Sequence, residues 1–267
     1  MYKIRTFNKI AEIGLDRLPR DQYDISDKHE EYDGIILRSH NLLDMEFNPS
    51  LKAIARAGVG VNNIPVERCS KQGIVVFNTP GANANAVKEL TIAAFLLASR
   101  KIVQGIMWAK TLTGDVPALV EKNKSQFAGP EIYGKKLGVI GLGAIGVMVA
   151  NAAEGLGMEV TGYDPYISLN AAWGISRTVK KSNGLNSLLA NSDYLSLHLP
   201  LLDSTASLLN KNNFKLMKKG IKIINLSRAG LVNNHDLIEA LTSGVVSSYV
   251  TDFPEEELLA FENVIPI

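Results

Sequence analysis

The chain has 267 residues and a net charge of +1, enough for one large domain or two ordinary ones. Its composition is 46% hydrophobic and 21% charged, which provides for substantial cores and leaves no basic field for nucleic acid or an anionic membrane. The single cysteine, Cys69, cannot form an internal disulfide; Met1 to Ile10 has no long apolar run, and no 18-residue apolar window reads as a membrane span, so a cytoplasmic protein is expected.

In chain order, Ile4 to Phe7 reads as a strand. Asp33 to Ser39 and Leu51 to Arg56 are stronger strands, short apolar runs that end in Arg38 and Arg56. Gly58-Val59-Gly60 follows at once. Pro65 to Gln72 suits a helix, with proline at its first turn and Gly73 past its end. Ile74 to Phe77 is a third good strand and runs into Asn78-Thr79-Pro80-Gly81. Alternating strands and helices imply a parallel sheet, whose ligands bind beyond the strands' carboxyl ends. Two guanidiniums and a glycine turn at one such edge suit a substrate with carboxylate and phosphate groups, the alternative being solvated strand-end charges.

Asn83 to Lys101 is expected to be a buried helix, apolar nearly all round at Ala93 to Ala98. Residues 111 to 134, with Gly114, Pro117, Gly129 and Pro130, are expected to form an irregular link. Lys136 to Ile140 then reads as a strand running into Gly141-x-Gly143-x-x-Gly146 and a helix. Gly141 allows the tight turn, Gly143 lets a pyrophosphate approach the backbone, and Gly146 lets helix and strand pack closely. The next strand, Met158 to Asp164, ends in an acid 18 positions after Gly146. That is near the roughly 20-residue spacing of a ribose-binding carboxylate, and a carboxylate there favours NAD over NADP. Further on, Asn186 to Ala190 and Asn212 to Lys218 read as helices, and a helix capped at Asn233 or Asn234 runs through Leu241. Asp193 to Leu199, Ile221 to Leu226, Val245 to Val250 and Val264 to Ile267 read as strands.

Together these segments closely resemble the NAD-dependent D-isomer-specific 2-hydroxyacid dehydrogenases, and within them most the D-3-phosphoglycerate dehydrogenases of serine biosynthesis. The resemblance rests on Arg56-Ala57-Gly58-Val59-Gly60-Val61-Asn62-Asn63-Ile64, Asn78 to Gly81, Gly141 to Gly146, Tyr163-Asp164-Pro165, His198-Leu199-Pro200-Leu201, Asn225 to Val232 and Phe253-Pro254-Glu255-Glu256. It implies two doubly wound parallel-sheet α/β domains with the active site between them. Residues 1–92 would be a flavodoxin-like substrate domain lacking its C-terminal return, and 93–267 a Rossmann NAD-binding domain. It also implies a homodimer formed largely through the nucleotide domain, and no metal.

By the same resemblance, Arg228 grips the substrate's carboxylate and carbonyl oxygen, and Glu256 pairs with a catalytic histidine. Val59 and Gly60 hold the carboxylate through their backbone, while Arg38 and Arg56 favour a phosphorylated substrate. Gly141, Gly143, Ala144, Ile145, Gly146, Asp164, Leu199, Leu226 and Ser227 match NAD contacts. His198 and Pro200 belong to a turn beside the cofactor, and His198 is not the proton donor. The expected activity is oxidation of D-3-phosphoglycerate to 3-phosphohydroxypyruvate. The alternatives are another D-2-hydroxyacid dehydrogenase, a glyoxylate or hydroxypyruvate reductase, or a non-catalytic NAD-binding scaffold.

Two departures stand out. The family's carboxamide-binding aspartate falls at Thr251, and the acid here is Asp252, so a shifted strand or a remodelled nicotinamide contact is expected. The family's Pro-His-x-Gly turn would follow Ile267, so a truncated form with little turnover is expected.

Overall fold

The computed structural model describes residues 1–267, which divide into two compact units, Met1–Asn83 and Ala84–Ile267. The division expected at 92/93 would cut a helix; the contacts divide at its start, and the whole helix belongs to the second unit.

In the first unit the elements are β1 (Tyr2–Thr6), α1 (Glu12–Leu15), β2 (Tyr23–Ser26), β3 (Gly34–Leu37), β4 (Ala53–Arg56), α2 (Val66–Lys71) and β5 (Val75–Phe77). The sheet is wholly parallel in the order β2-β1-β3-β4-β5. That is the 2-1-3-4-5 order of flavodoxin-like folds. Ile35, Leu37, Leu42, Ile54, Ile64, Cys69 and Ile74 make its core. β2 escapes sequence reading because Tyr-Asp-Ile-Ser is a half-polar edge strand, defined by its pairing with β1 rather than by an apolar run.

The second unit opens with α3 (Ala84–Ser99), α4 (Ile102–Ala109) and α5 (Val116–Asn123). There follow β6 (Lys136–Ile140), α6 (Ala144–Gly155), β7 (Glu159–Tyr163), α7 (Leu169–Trp173), β8 (Lys180–Lys181), α8 (Leu185–Asn191) and β9 (Tyr194–Leu197). The rest comprises α9 (Lys211–Phe214), β10 (Ile221–Asn225), α10 (Asn234–Thr242), β11 (Val246–Thr251), α11 (Glu256–Leu259) and β12 (Val264–Pro266). Its parallel sheet runs β12-β11-β10-β9-β6-β7-β8. Counted from β6, this is the 3-2-1-4-5-6 order of a Rossmann fold with a seventh strand added, and the order reverses between β6 and β9.

Three local expectations change. The link at 111 to 134 contains α5, started by Asp115, whose carboxylate accepts from the Ala118 N–H at 3.2 Å, with a proline in the first turn. The helix expected over 212–218 is the single turn α9. In α3 burial is a stripe: Ala94 and Phe95 are enclosed, but Leu96 is 42% exposed.

Candidate functional site

β6 delivers the chain to Gly141, whose φ of +88° belongs to the left-handed region. A Cβ at Gly141 would lie 2.4 Å from the His198 carbonyl oxygen, and one at Gly146 would lie 1.9 Å from the Gly141 carbonyl oxygen. A Cβ at Gly143 would meet nothing within 4 Å. Two of the glycines are therefore demanded by the protein's own packing. The third leaves an open approach to the first turn of α6, where the N–H groups of Ala144 and Ile145 begin the helix.

Asp164 follows β7 and is tied to this turn. Its Oδ2 accepts from the Leu142 N–H at 2.8 Å and its Oδ1 from the Tyr166 N–H at 2.8 Å. Each oxygen keeps a further lone pair for ribose hydroxyls. The sequence allows a ribose acid or a turn residue before Pro165; the geometry joins the turn role to a brace on the glycine loop. Open space at Gly143, a helix N-terminus and an anchored carboxylate fit a dinucleotide.

β9 runs beside β6 and ends at His198. The imidazole Nε2 is 2.9 Å from the Ser196 hydroxyl, while Nδ1 is buried and has no partner. Burial pushes its pKa down to about 4, so the ring is neutral at physiological pH. Leu199 and Pro200 continue from it. On β10's side, Leu226 is buried and the Ser227 hydroxyl donates to the Leu197 carbonyl at 2.7 Å. At β11 the pairing of Asn225 with Thr251 is regular, and the strand's only irregularity lies at its start. Thr251 is fully buried and its hydroxyl accepts from the Phe253 N–H at 3.0 Å, leaving Asp252 exposed beyond the strand end. No slip at that end turns Asp252 into the buried position.

The turn after β10 carries Arg228, which is exposed. One guanidinium nitrogen donates to the Ser227 carbonyl at 2.6 Å, and the side chain makes no ion pair. The turn is shaped by Asn225, a residue that enters the sequence reading only as part of a motif. Its side chain is fully buried; Nδ2 donates to the Arg228 carbonyl at 2.8 Å and to the Tyr249 hydroxyl at 3.2 Å. Its Oδ1 accepts from the Ser227 N–H at 3.2 Å. The signal available is an asparagine closing an otherwise apolar strand, which must satisfy its amide locally. Glu256 is the exposed first residue of α11 and pairs with no cation.

Residues 92–265 match the family described as D-isomer specific 2-hydroxyacid dehydrogenase, NAD binding domain. The chain belongs to this family. The second unit is its NAD-binding domain, and its strand order carries a switch point between β6 and β9. The chain is 37% identical over 251 residues to a D-3-phosphoglycerate dehydrogenase of Methanocaldococcus jannaschii, covering 91% of this chain and 46% of that one. It is 32% identical over 269 residues to a D-3-phosphoglycerate dehydrogenase of Bacillus subtilis, covering 96% and 49%. A solved structure of a Thermus thermophilus protein superposes with a TM-score of 0.83 at 26% identity, covering 99% of this chain and 88% of that one. The chain spans about half the length of the curated relatives it matches.

The first unit supplies a second constellation. Its parallel strands bring the ends of β1, β3, β4 and β5 to one edge, as expected for the last three. Arg38 is exposed and its side chain makes no hydrogen bond or ion pair within the chain. Arg56 differs from the open clamp expected: one guanidinium nitrogen donates to the Gly60 carbonyl and to Asn62 Oδ1, the latter at 3.2 Å, bracing the glycine turn. The Asn78 side chain donates to the Val59 carbonyl at 2.7 Å, and the Val59 and Gly60 N–H groups donate to no backbone acceptor.

Asn8 is a residue the sequence does not single out. It has φ of +65°, and its Oδ1 accepts from three successive backbone N–H groups: Arg38 at 3.2 Å, Ser39 at 2.9 Å and His40 at 2.9 Å. Asn63 holds the same segment from its carbonyl side, donating to His40 at 2.6 Å. An asparagine just after a strand tolerates the left-handed conformation and can cap neighbouring amides, which is its only visible signal.

Proposed function

We propose that this chain serves NAD-dependent oxidation of a phosphorylated D-2-hydroxy acid, D-3-phosphoglycerate, to the corresponding 2-keto acid, in serine biosynthesis. The reading is carried by two arginines at neighbouring strand ends beside a glycine turn with free N–H groups, in a chain whose other unit binds NAD. Bound NAD supplies the hydride acceptor. The Val59 and Gly60 N–H groups hold the carboxylate, and Arg38, with Arg56 behind the turn, favours the phosphate. Arg228 orients the carboxylate and polarises the carbon-bearing oxygen through a planar fork that lysine cannot reproduce. Glu256 adds negative charge that favours a protonated partner at the reacting oxygen. Ala144, Ile145 and the glycines take the pyrophosphate, and Asp164 the ribose. Leu199, Leu226 and Ser227 line the cofactor, with His198 and Pro200 in the turn beside it, and Asp252 is offered for the carboxamide.

The test compares D-3-phosphoglycerate with D-glycerate, by calorimetric binding in the presence of NADH and by NADH formation at 340 nm. Arg38→Gln is expected to weaken the phosphorylated acid at least tenfold, about 1.4 kcal/mol, and to leave D-glycerate nearly unchanged. Equal losses on both acids, or tighter binding of the unphosphorylated one, transfers the reading to another 2-hydroxyacid dehydrogenase.

A homodimer through the NAD-binding unit belongs to the same proposal. In α4, Ile102, Val103, Ile106 and Met107 are 41 to 63% exposed and recur on one face of the helix. Such a stripe is costly in water and suits a symmetric partner. Light scattering should give twice the chain's 29.0 kDa, and Ile106→Asp with Met107→Asp should return the monomer. A monomeric parent protein refutes the dimer. A cytoplasmic location is likewise proposed, supported by the free buried thiol of Cys69.

A further inference from the structure

At the amino ends of the strands in the NAD-binding sheet, away from the glycine turn, lies a cavity of about 190 Å³. Lys135, Asp193, Tyr194, Lys218, Lys219 and Lys222 line it. Its one carboxylate is engaged at both oxygens: Asp193 Oδ1 accepts from Lys218 Nζ at 2.8 Å and Oδ2 from the Lys136 N–H at 2.9 Å. Lys135, Lys219 and Lys222 form no ion pair.

Lys222 is the unusual member. It occupies β10, an interior strand of the sheet, opposite Tyr194 of β9. Its ammonium lies 5.2 Å from the centre of the Tyr194 ring, whose hydroxyl is held 2.6 Å from the Ser99 hydroxyl. Nothing in the chain accepts a hydrogen bond from its amine. Burial lowers the pKa of the half-buried amine, and Lys135 adds to this against the opposing pull of Asp193. Nothing in the NAD or substrate chemistry uses this group.

We propose that Lys222 is an acylation site that takes acyl groups from small acyl phosphates drawn into the cavity by Lys135 and Lys219. The neutral amine attacks the acyl carbon and a C–N bond forms. The bond from that carbon to the phosphate oxygen breaks, phosphate departs with the electron pair, and the amine's proton passes to phosphate or water. The product is a neutral amide. The donor class follows from the charges: unpaired ammonium groups attract a phosphate-bearing electrophile and stabilise phosphate as it leaves, and give an uncharged ester no such help.

The test incubates the whole chain with acetyl phosphate at neutral pH and follows each lysine by peptide mass spectrometry. Lys222 is expected to acetylate several-fold faster than exposed Lys180 and Lys211. Excess inorganic phosphate should slow Lys222 selectively. Lys219→Met should slow Lys222 with acetyl phosphate but not with the uncharged donor N-acetoxysuccinimide. Labelling of Lys222 no faster than Lys180 in the parent protein overturns the proposal, as does phosphate slowing every lysine equally.

Discussion

Gly146→Ala should abolish NAD binding and cost the NAD-binding unit about 3 kcal/mol of stability, whereas Gly143→Ala should cost the fold almost nothing and still weaken NAD at least tenfold. The two glycines share one motif and differ in what they face. An added methyl at Gly146 would sit 1.9 Å from the Gly141 carbonyl oxygen, a backbone atom that cannot swing aside. Helix α6 would have to lift from β6, and overpacking of this kind typically costs about 1–3 kcal/mol. The same methyl at Gly143 enters open space, and Gly143 has φ of −77°, which any residue adopts. The loss there falls on the pyrophosphate that would need that space; a tenfold loss is about 1.4 kcal/mol. Urea unfolding and calorimetry with NAD on both variants measure the contrast. Gly143→Ala binding NAD as tightly as the parent protein would refute the placement of the pyrophosphate.

The second large effect is a loss of stability on mild acidification, traced to His198. Burial holds its pKa down to about 4, against about 6.5 in an unfolded chain. A depressed base is neutral in the folded state and takes up a proton more readily when unfolded. Its neutral form therefore costs nothing above pH 6.5. As pH falls from 6.5 towards 4, the unfolded state gains protons that the folded state refuses, and stability drops by up to about 3 kcal/mol. The carboxylates with lowered pKa, Asp33 and Asp193, act in a lower window, below their ordinary value of 3.8. Urea midpoints between pH 7 and 4 should fall for the parent protein and stay nearly level for His198→Gln. An unchanged slope in the variant assigns the acid sensitivity elsewhere.

What is legible in the chain and what is not divide along a physical line. The parallel α/β class can be read because buried parallel strands are short continuous apolar runs, as at Gly34–Leu37 and, past its first residue, Lys136–Ile140. The glycine turn can be read because its three glycines fall within six residues at a fixed spacing, although only Gly146 has a local steric cause; the wall behind Gly141 is the distant His198 carbonyl. Elements without a core-facing run cannot: β2 and β8 are polar edge strands, defined by the neighbour they bond to. α5 is hidden by the glycines and prolines around it, although its cap at Asp115 is a local signal.

Side-chain partnership is the part that only folding decides. An asparagine that caps distant amides looks in sequence like any other loop asparagine, so nothing marks Asn8 and Asn63 as the clamps on the segment carrying Arg38. Arg56 is visible as a strand-end charge, but its engagement with Gly60 and Asn62 depends on the path of the turn. Asp252 and Thr251 are one position apart in sequence; the threonine closes a strand buried on both faces, and the acid lies just past the strand's end, exposed. Residue type and spacing thus establish the fold class and the family, because they are local. Which donor meets which acceptor depends on distances between residues far apart in sequence, and packing alone sets those distances.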